Sequence, residues 1–392
     1  MSCFHLKNTV QNYDWGTSDY IPQLLGLANP SKQPYAELWM GAHPKSPSVI
    51  LLKDSFQNLD TYISNAPIER LGKTAASLYE QKLPFLFKVL SARKALSIQA
   101  HPSKRQAETG YFKEQQAGLS LNAFNRNYRD NNHKPELMLA LTPFTAMCGF
   151  KSLSEISHLF DELGMLSLFP GLNKNLKAFF TDYLNLDEAK VITPSLIEDI
   201  KSLRRLNPDM NYILGWVIEL YKQYGLHSGI LAPLFLNTIQ LQPGEAVFID
   251  AGVLHAYLQG SGLELMANSD NVLRCGLTPK YIDKNELLNI LDFEHHPPTR
   301  IIPQTCNNEL IYRTPAAEFE LSRIDIYPGV EYNYQIQSGE ILLCLNGECI
   351  ISDCAKLKRG ESVFVSADSG DLVITGEALL YRAKTPARKT FS

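Results

Sequence analysis

The sequence predicts a protein that is mainly β with α, built as two jelly-roll barrels plus an inserted helical domain. Three observations carry this reading. From Leu231 onward, short apolar runs alternate with Gly and Pro, the pattern of strands and turns. Two segments of that region repeat: LQPGEAVFIDAGVLHAYLQG from Leu241 and LKRGESVFVSADSGDLVITG from Leu357 align without a gap, sharing Leu, Gly-Glu, Val-Phe, Ala and the closing Gly. Between Phe150 and about Gly225 the apolar residues instead recur at helical spacing.

Each element follows from local signals. Leu59 to Gln81 reads as a helix, with Leu71 and Leu78 among its apolar positions, and Lys104 to Gln116 as another, rich in Lys, Gln and Glu. Between them LPFLFKVLSARKALSIQAHP reads as two strands joined by a turn. The helical block opens on SLSEISHLFDEL, where Ser152 precedes Glu155 by three residues, as in a capping box. Its last helix starts at Asn207-Pro208-Asp209 and carries Ile213, Trp216, Val217, Leu220, Tyr221 and Tyr224 on one face, a stripe suited to core packing. A brief helix is expected near Lys284 to Leu291, and the rest is strand and turn.

Regular short strands with Gly-rich turns are the pattern of cupins, whose inward side chains line a cavity open at one end. The two repeats differ where chemistry would sit. His255 of the first aligns with Asp371 of the second, so only the first barrel keeps its imidazole.

Composition excludes several functions. The 37 basic and 41 acidic residues are mixed along the chain, with no basic run to neutralise a row of phosphates, so nucleic acid is not an expected partner. No segment offers the roughly 18 uninterrupted apolar residues of a membrane span, and the amino terminus lacks a signal-peptide pattern, so a cytoplasmic location is expected and no membrane partner. No exposed apolar stripe demands a second copy, which favours a monomer. The seven cysteines have no paired zinc-ribbon spacing and read as buried or free thiols.

The chemistry-bearing residues cluster in a few segments. In LSIQAHPSK, strand alternation projects Gln99 and His101 to one face. In NHKPELMLAL, Lys134 and Glu136 share a face. On spacing alone, a polar pair such as Gln99 and His101 is more usually a solvated strand face. If these strands and the His255 hairpin share one barrel, Gln99, His101, Glu136 and His255 could converge as a set of two imidazoles, one carboxylate and one amide suited to zinc. Its net charge would be about +1, and a second carboxylate in place of Gln99 would cancel that charge. Downstream, GLELMANSDNVLRCGLTPKYID carries Glu264, Asp270, Arg274 and Lys280; a turn accounts for Asn268 to Asn271 but not for Glu264 or Arg274.

Taken together, IQAHPSK, NHKPELMLAL, GEAVFIDAGVLHAY and ANSDNVLRCGLTPKYID resemble the signature segments of the type I mannose-6-phosphate isomerases, as do QNYDWG, AELWMGAHPKSPS and LPFLFKVL. The resemblance runs in order from near residue 10 to about residue 285. It implies two cupin barrels with an inserted helical domain, one zinc ion per chain, and interconversion of mannose 6-phosphate and fructose 6-phosphate. Residues 1–150 and 230–295 would form the catalytic barrel, 151–229 the helical insertion, and 296–392 a second barrel without metal ligands. The implied zinc ligands are Gln99, His101, Glu136 and His255. Lys88, Ser97, Lys134, Tyr257, Glu264, Asp270 and Arg274 are implied around the substrate.

An aldose-to-ketose conversion moves a proton between adjacent carbons through an enediol. The base must not be spent on the metal, which favours Glu264, with Asp270 and Lys134 next. Arg274 and Lys134 suit a developing oxyanion, and Lys88 and Ser97 the phosphate, although another cation could hold it. Two other classes compete: an iron-dependent cupin oxygenase, disfavoured by Gln99 and the scarcity of histidines, and a sugar-binding cupin without catalysis.

Overall fold

The computed structural model describes residues 2–52, 55–295, 297–306 and 308–386. It is a strand-rich mixture of helix and strand, with two antiparallel sheets of 11 strands each among the described residues. One sheet runs through Thr299–Ile301, Ala246–Ile249, Glu136–Ala140, His255–Ala267, Phe85–Ala92, Glu37–Gly41 and Thr9–Gln11. Phe144–Phe150, Leu236–Leu241, Ile98–Ala100 and Leu273–Gly276 join it through the first residues of His255–Ala267.

That long strand organises the site. Its residues 255–259 lie against Phe144–Phe150, and residues 260–267 lie against Phe85–Ala92. The change of partner falls at Gly260, where φ is +121° and a Cβ would stand 2.7 Å from the Pro143 carbonyl oxygen. A side chain is excluded there both by backbone conformation and by space.

The sequence repeat is also a structural one. Ala246–Ile249 aligns with the strand Ser362–Val365, and His255–Ala267 with Asp371–Lys384, each starting at equivalent residues. Gly376, the counterpart of Gly260, has φ +129°, and there too the strand passes from one partner, Tyr332–Gln335, to another, Glu320–Ile326. Hydrogen bonding nevertheless crosses the division expected along the chain. Cys3–Lys7 pairs with Ser362–Val365 in the second sheet, and Thr299–Ile301 pairs with Ala246–Ile249 in the first.

Helices fill the chain between Phe150 and Leu236, including Leu153–Glu162, Leu176–Leu184, Pro194–Leu206 and Asn211–Tyr224. Ser152 and Glu155 form the expected capping box. Asn207 caps a short 3-10 turn, Pro208–Met210, rather than the last helix itself. On that helix Val217 and Leu220 are buried, and Ile213, Trp216, Tyr221 and Tyr224 pack at the edge of the same core. Ile98 and Ala100 belong to this core with Phe160, Phe179 and Phe180, so the helices back directly onto the strand that carries Gln99. Leu59 to Gln81 is not one helix but three, Leu59–Asn65, Pro67–Leu71 and Lys73–Leu78. Pro67 cannot continue the hydrogen-bond ladder, and Gly72, at φ +84°, turns the chain between the second and third. Among the described residues no helix is long and apolar enough to cross a membrane.

Candidate metal centre and active site

Three strand ends bring the polar face together. His101 follows Ile98–Ala100, Glu136 opens Glu136–Ala140, and His255 opens His255–Ala267, with Gln99 opposite His255 in register. Alternation explains the aim of Gln99: its neighbours Ile98 and Ala100 are fully buried in the helical core, so it faces the other way, half-buried. The Gly252 amide donates to the His101 carbonyl at 2.8 Å, fastening the turn before His255 to the first strand.

His101, Glu136 and His255 are all buried, and one ligand atom from each lies within 4.8 Å of the others. Glu136 Oε1 stands 3.2 Å from His101 Nε2, and Oε2 stands 3.3 Å from His255 Nε2. The other ring nitrogens are occupied: His101 Nδ1 donates to the Asn271 carbonyl at 2.7 Å, and His255 Nδ1 to the Val253 carbonyl at 2.9 Å. That leaves both Nε2 atoms as lone-pair donors facing one carboxylate. His101 Nε2, His255 Nε2 and Glu136 Oε1 are buried without a directed hydrogen bond, an arrangement that is unfavourable unless a cation satisfies it. Burial pushes His101 down to about 4, against the pull of Glu136, so its imidazole is neutral and ready to ligate. Burial opposes ionisation of Glu136 as well, but Lys134, 2.8 Å away, and then His101 hold the carboxylate well below its usual range. The donor set therefore fits a divalent metal, with the Gln99 amide beside it.

A second polar cluster adjoins this one. Trp39, Lys88 and Glu264 face one another across three adjacent strands. Lys88 Nζ lies 2.8 Å from Glu264 Oε2 and 3.9 Å from Glu37 Oε1. Burial disfavours its charge, yet Glu264 and then Glu37 outweigh burial and hold the ammonium above the ordinary lysine range. Tyr257 joins the two clusters. Its hydroxyl donates to Glu136 Oε2 at 3.3 Å and also interacts with Glu264, and burial, then Glu136, hold its phenol proton tightly.

The remaining residues sit farther out. Ser97 Oγ donates to Gln99 Oε1 at 3.3 Å, an orienting contact. Asp270 pairs with Lys45 at 2.9 Å and lies 3.7 Å from His43. Arg274 is opposite Gln99 in register and half-buried, and its proton affinity is lowered by burial and then by Arg129. Lys280 is lowered by burial, then by Arg274, Arg129 and Lys45. Arg129, Arg274 and Lys280 thus form a cationic group with no carboxylate in ion-pair range among the described residues.

Sequence reading missed Glu37, His43, Lys45 and Arg129, and took Asn271 as part of a turn. Asn271 is fully buried, and its side chain bonds the Arg129 and Asp130 amides and the Asp130 and Asn132 carbonyls, so what read as a turn is a clamp on the loop carrying Arg129. Glu37 and His43 lay in the AELWMGAHPKSPS segment, where Glu37 and Trp39 alternate onto one face.

Comparison with known proteins places the whole chain among known folds and sequences. Residues 3–153 match the model of the type I phosphomannose isomerase catalytic domain. The chain is 40% identical to the mannose-6-phosphate isomerase of Shigella flexneri, covering 96% of this chain and 98% of that one, and 33% identical to that of Homo sapiens, covering 97% and 98%. A point mutant of phosphomannose isomerase from Salmonella typhimurium superposes with a TM-score of 0.90 at 37% identity, covering 99% of this chain and 100% of that one. A zinc-bound mannose 6-phosphate isomerase superposes at 0.89 and 38% identity, with the same coverage. The chain belongs to the type I mannose-6-phosphate isomerase family.

Proposed function

We propose that this chain is a zinc-dependent isomerase that interconverts mannose 6-phosphate and fructose 6-phosphate through an enediol. The observation that carries this is the meeting of His101, Glu136 and His255, three unsatisfied buried donors, beside the Lys88–Glu264 pair. Gln99, His101, Glu136 and His255 would hold the zinc. When bound, zinc supplies a Lewis acid that stabilises negative charge on sugar oxygens.

Glu264 is the base. It is buried, is not among the metal donors, and takes the proton from C2 of mannose 6-phosphate, leaving its electron pair in an enediolate with its charge on O1; return of that proton to C1, with the hydroxyl proton passing from O2 to O1, completes the ketose. Arg274, always protonated and without an acid partner among the described residues, donates to the substrate oxygens as charge develops. Lys134 keeps Glu136 ionised, and Tyr257 spaces the metal donors from the base. Asp270, already paired with Lys45 and His43, shapes the rim rather than moving a proton.

The substrate phosphate lies on Arg129 and Lys280, beside Arg274, rather than on Lys88 or Ser97. Lys88 is enclosed and shared by two carboxylates, which would repel a dianion, whereas the outer cations have no acid partner among the described residues. The catalytic barrel comprises residues 1–150 and 230–295 around the helical 151–229, and residues 296–392 form a cupin-like barrel in which Asp371 replaces His255, with strands exchanged at the seam: Cys3–Lys7 joins the second sheet and Thr299–Ile301 the first. The structural repeat at Gly260 and Gly376 supports that division.

Glu264→Gln, assayed for interconversion of the two hexose phosphates, tests the reading. Turnover is expected to fall by about 10²- to 10⁴-fold with zinc retained; native turnover would remove Glu264 as the base.

A further inference from the structure

Glu37 is a buried carboxylate to which the reaction gives no obvious task. It is 7% exposed, and its Oε2 accepts from Trp39 Nε1 at 2.7 Å, so the carboxylate is pinned by its own strand. Its Oε1 lies 3.9 Å from Lys88 Nζ, while the Lys88 ammonium also lies 5.3 Å from the Trp39 ring centroid. Lys88 therefore stands between two acids, Glu264 on one neighbouring strand and Glu37 on the other.

Resting on the assignment of Glu264 as base, we propose that Glu37 is a positioning residue that keeps Lys88 charge-balanced while Glu264 carries the transferred proton. Before transfer, one ammonium faces two carboxylates. After transfer Glu264 is neutral, and Lys88 would be a lone buried cation if Glu264 were its sole partner. Glu37 supplies the second negative charge, so the protonated state of Glu264 leaves an intact ion pair behind it. The proton goes from substrate carbon to Glu264 and back to the adjacent carbon; neither Lys88 nor Glu37 gains or loses one. The pinning by Trp39 fixes the distance at which this charge acts.

Glu37→Gln removes the charge while keeping an oxygen that can accept from Trp39. Measured with mannose 6-phosphate and with the substrate deuterated at C2, this variant should lose about 10- to 100-fold in kcat, keep KM within about threefold, and show a larger deuterium effect on kcat as proton transfer becomes limiting. Glu37→Asp, which retains the charge, should recover most of the lost kcat. A Glu37→Gln enzyme within twofold of native kcat, an unchanged deuterium effect, or a Glu37→Asp enzyme as slow as Glu37→Gln would each overturn the proposal. Glu264→Gln separates it from the reading beneath it. If that variant is inactive while Glu37→Gln is native-like, only the role of Glu37 fails; if it turns over at the native rate, the base assignment fails first.

Discussion

Lys88 and Glu264 face each other in register on adjacent strands, with the ammonium 2.8 Å from the carboxylate and both side chains at most 6% exposed. Such a pair is weak evidence of net stability, because desolvation offsets most of the attraction, but removing one partner strands the other. Lys88→Met leaves Glu264 and Glu37 buried together with no cation between them. It should lower unfolding free energy by about 3–5 kcal/mol in urea titrations at pH 7, and a Lys88→Met/Glu264→Gln double variant should be destabilised by less than the sum of the singles.

In the proposed zinc centre the neutral amide of Gln99 leaves Glu136 as the sole anionic ligand. Gln99→Glu adds a second anion beside Glu136 and brings it opposite Arg274 in register. Metal content by mass spectrometry of the native protein should stay near that of the wild type while kcat falls by more than about tenfold, since a neutralised centre stabilises an oxyanion poorly. Undiminished turnover would show that the charge argument is wrong.

His43 gives a pH dependence of stability. Burial lowers it to about 4, with Asp270 pulling the other way. Its folded value lies below the unfolded one, so the unfolded chain binds more protons between about pH 6.5 and 4, and stability contributed by neutral His43 is lost as pH falls through that window. Between pH 7 and pH 5 the loss is about 2 kcal/mol for this group. Urea midpoints at the two pH values should therefore draw together in His43→Gln relative to the wild type.

The outer cations give a different signature. Lys280→Ala removes one charge from the Arg129, Arg274 and Lys280 group and should raise KM for mannose 6-phosphate about 10-fold with kcat little changed. The penalty should shrink in high salt because Lys280 is exposed and screened. An equal loss in kcat alone would place the phosphate elsewhere.

Much of this architecture was legible because it is local. The helix Lys104–Gln116, the Ser152 capping box and the duplicated hairpin are written in short windows, and the glycine that closes each repeat is where the structure bends both strands, at Gly260 and Gly376. The pairing of Gln99 and His101 with Glu136 and His255 is not local. It depends on separate segments of the chain, with His255 more than 100 residues beyond the others, and strand alternation alone could not distinguish that convergence from a solvated face; resemblance to a family supplied it. Glu37, His43 and Arg129 escaped notice for the same reason, since their partners Lys88, Asp270 and Arg274 come from distant segments. Short strands such as Cys3–Lys7 and Thr299–Ile301 were equally silent about which sheet they join. The break of Leu59 to Gln81 into three helices was readable at Pro67 and Gly72, but apolar periodicity hid it.

The central claim is that His101, Glu136 and His255, with Gln99, hold the zinc on which isomerisation depends. Protein dialysed against a strong chelator until metal-free should retain its fold by far-UV circular dichroism, lose interconversion of mannose 6-phosphate and fructose 6-phosphate, and regain it in proportion to added zinc up to one ion per chain. Full turnover in a sample verified to be metal-free would contradict it.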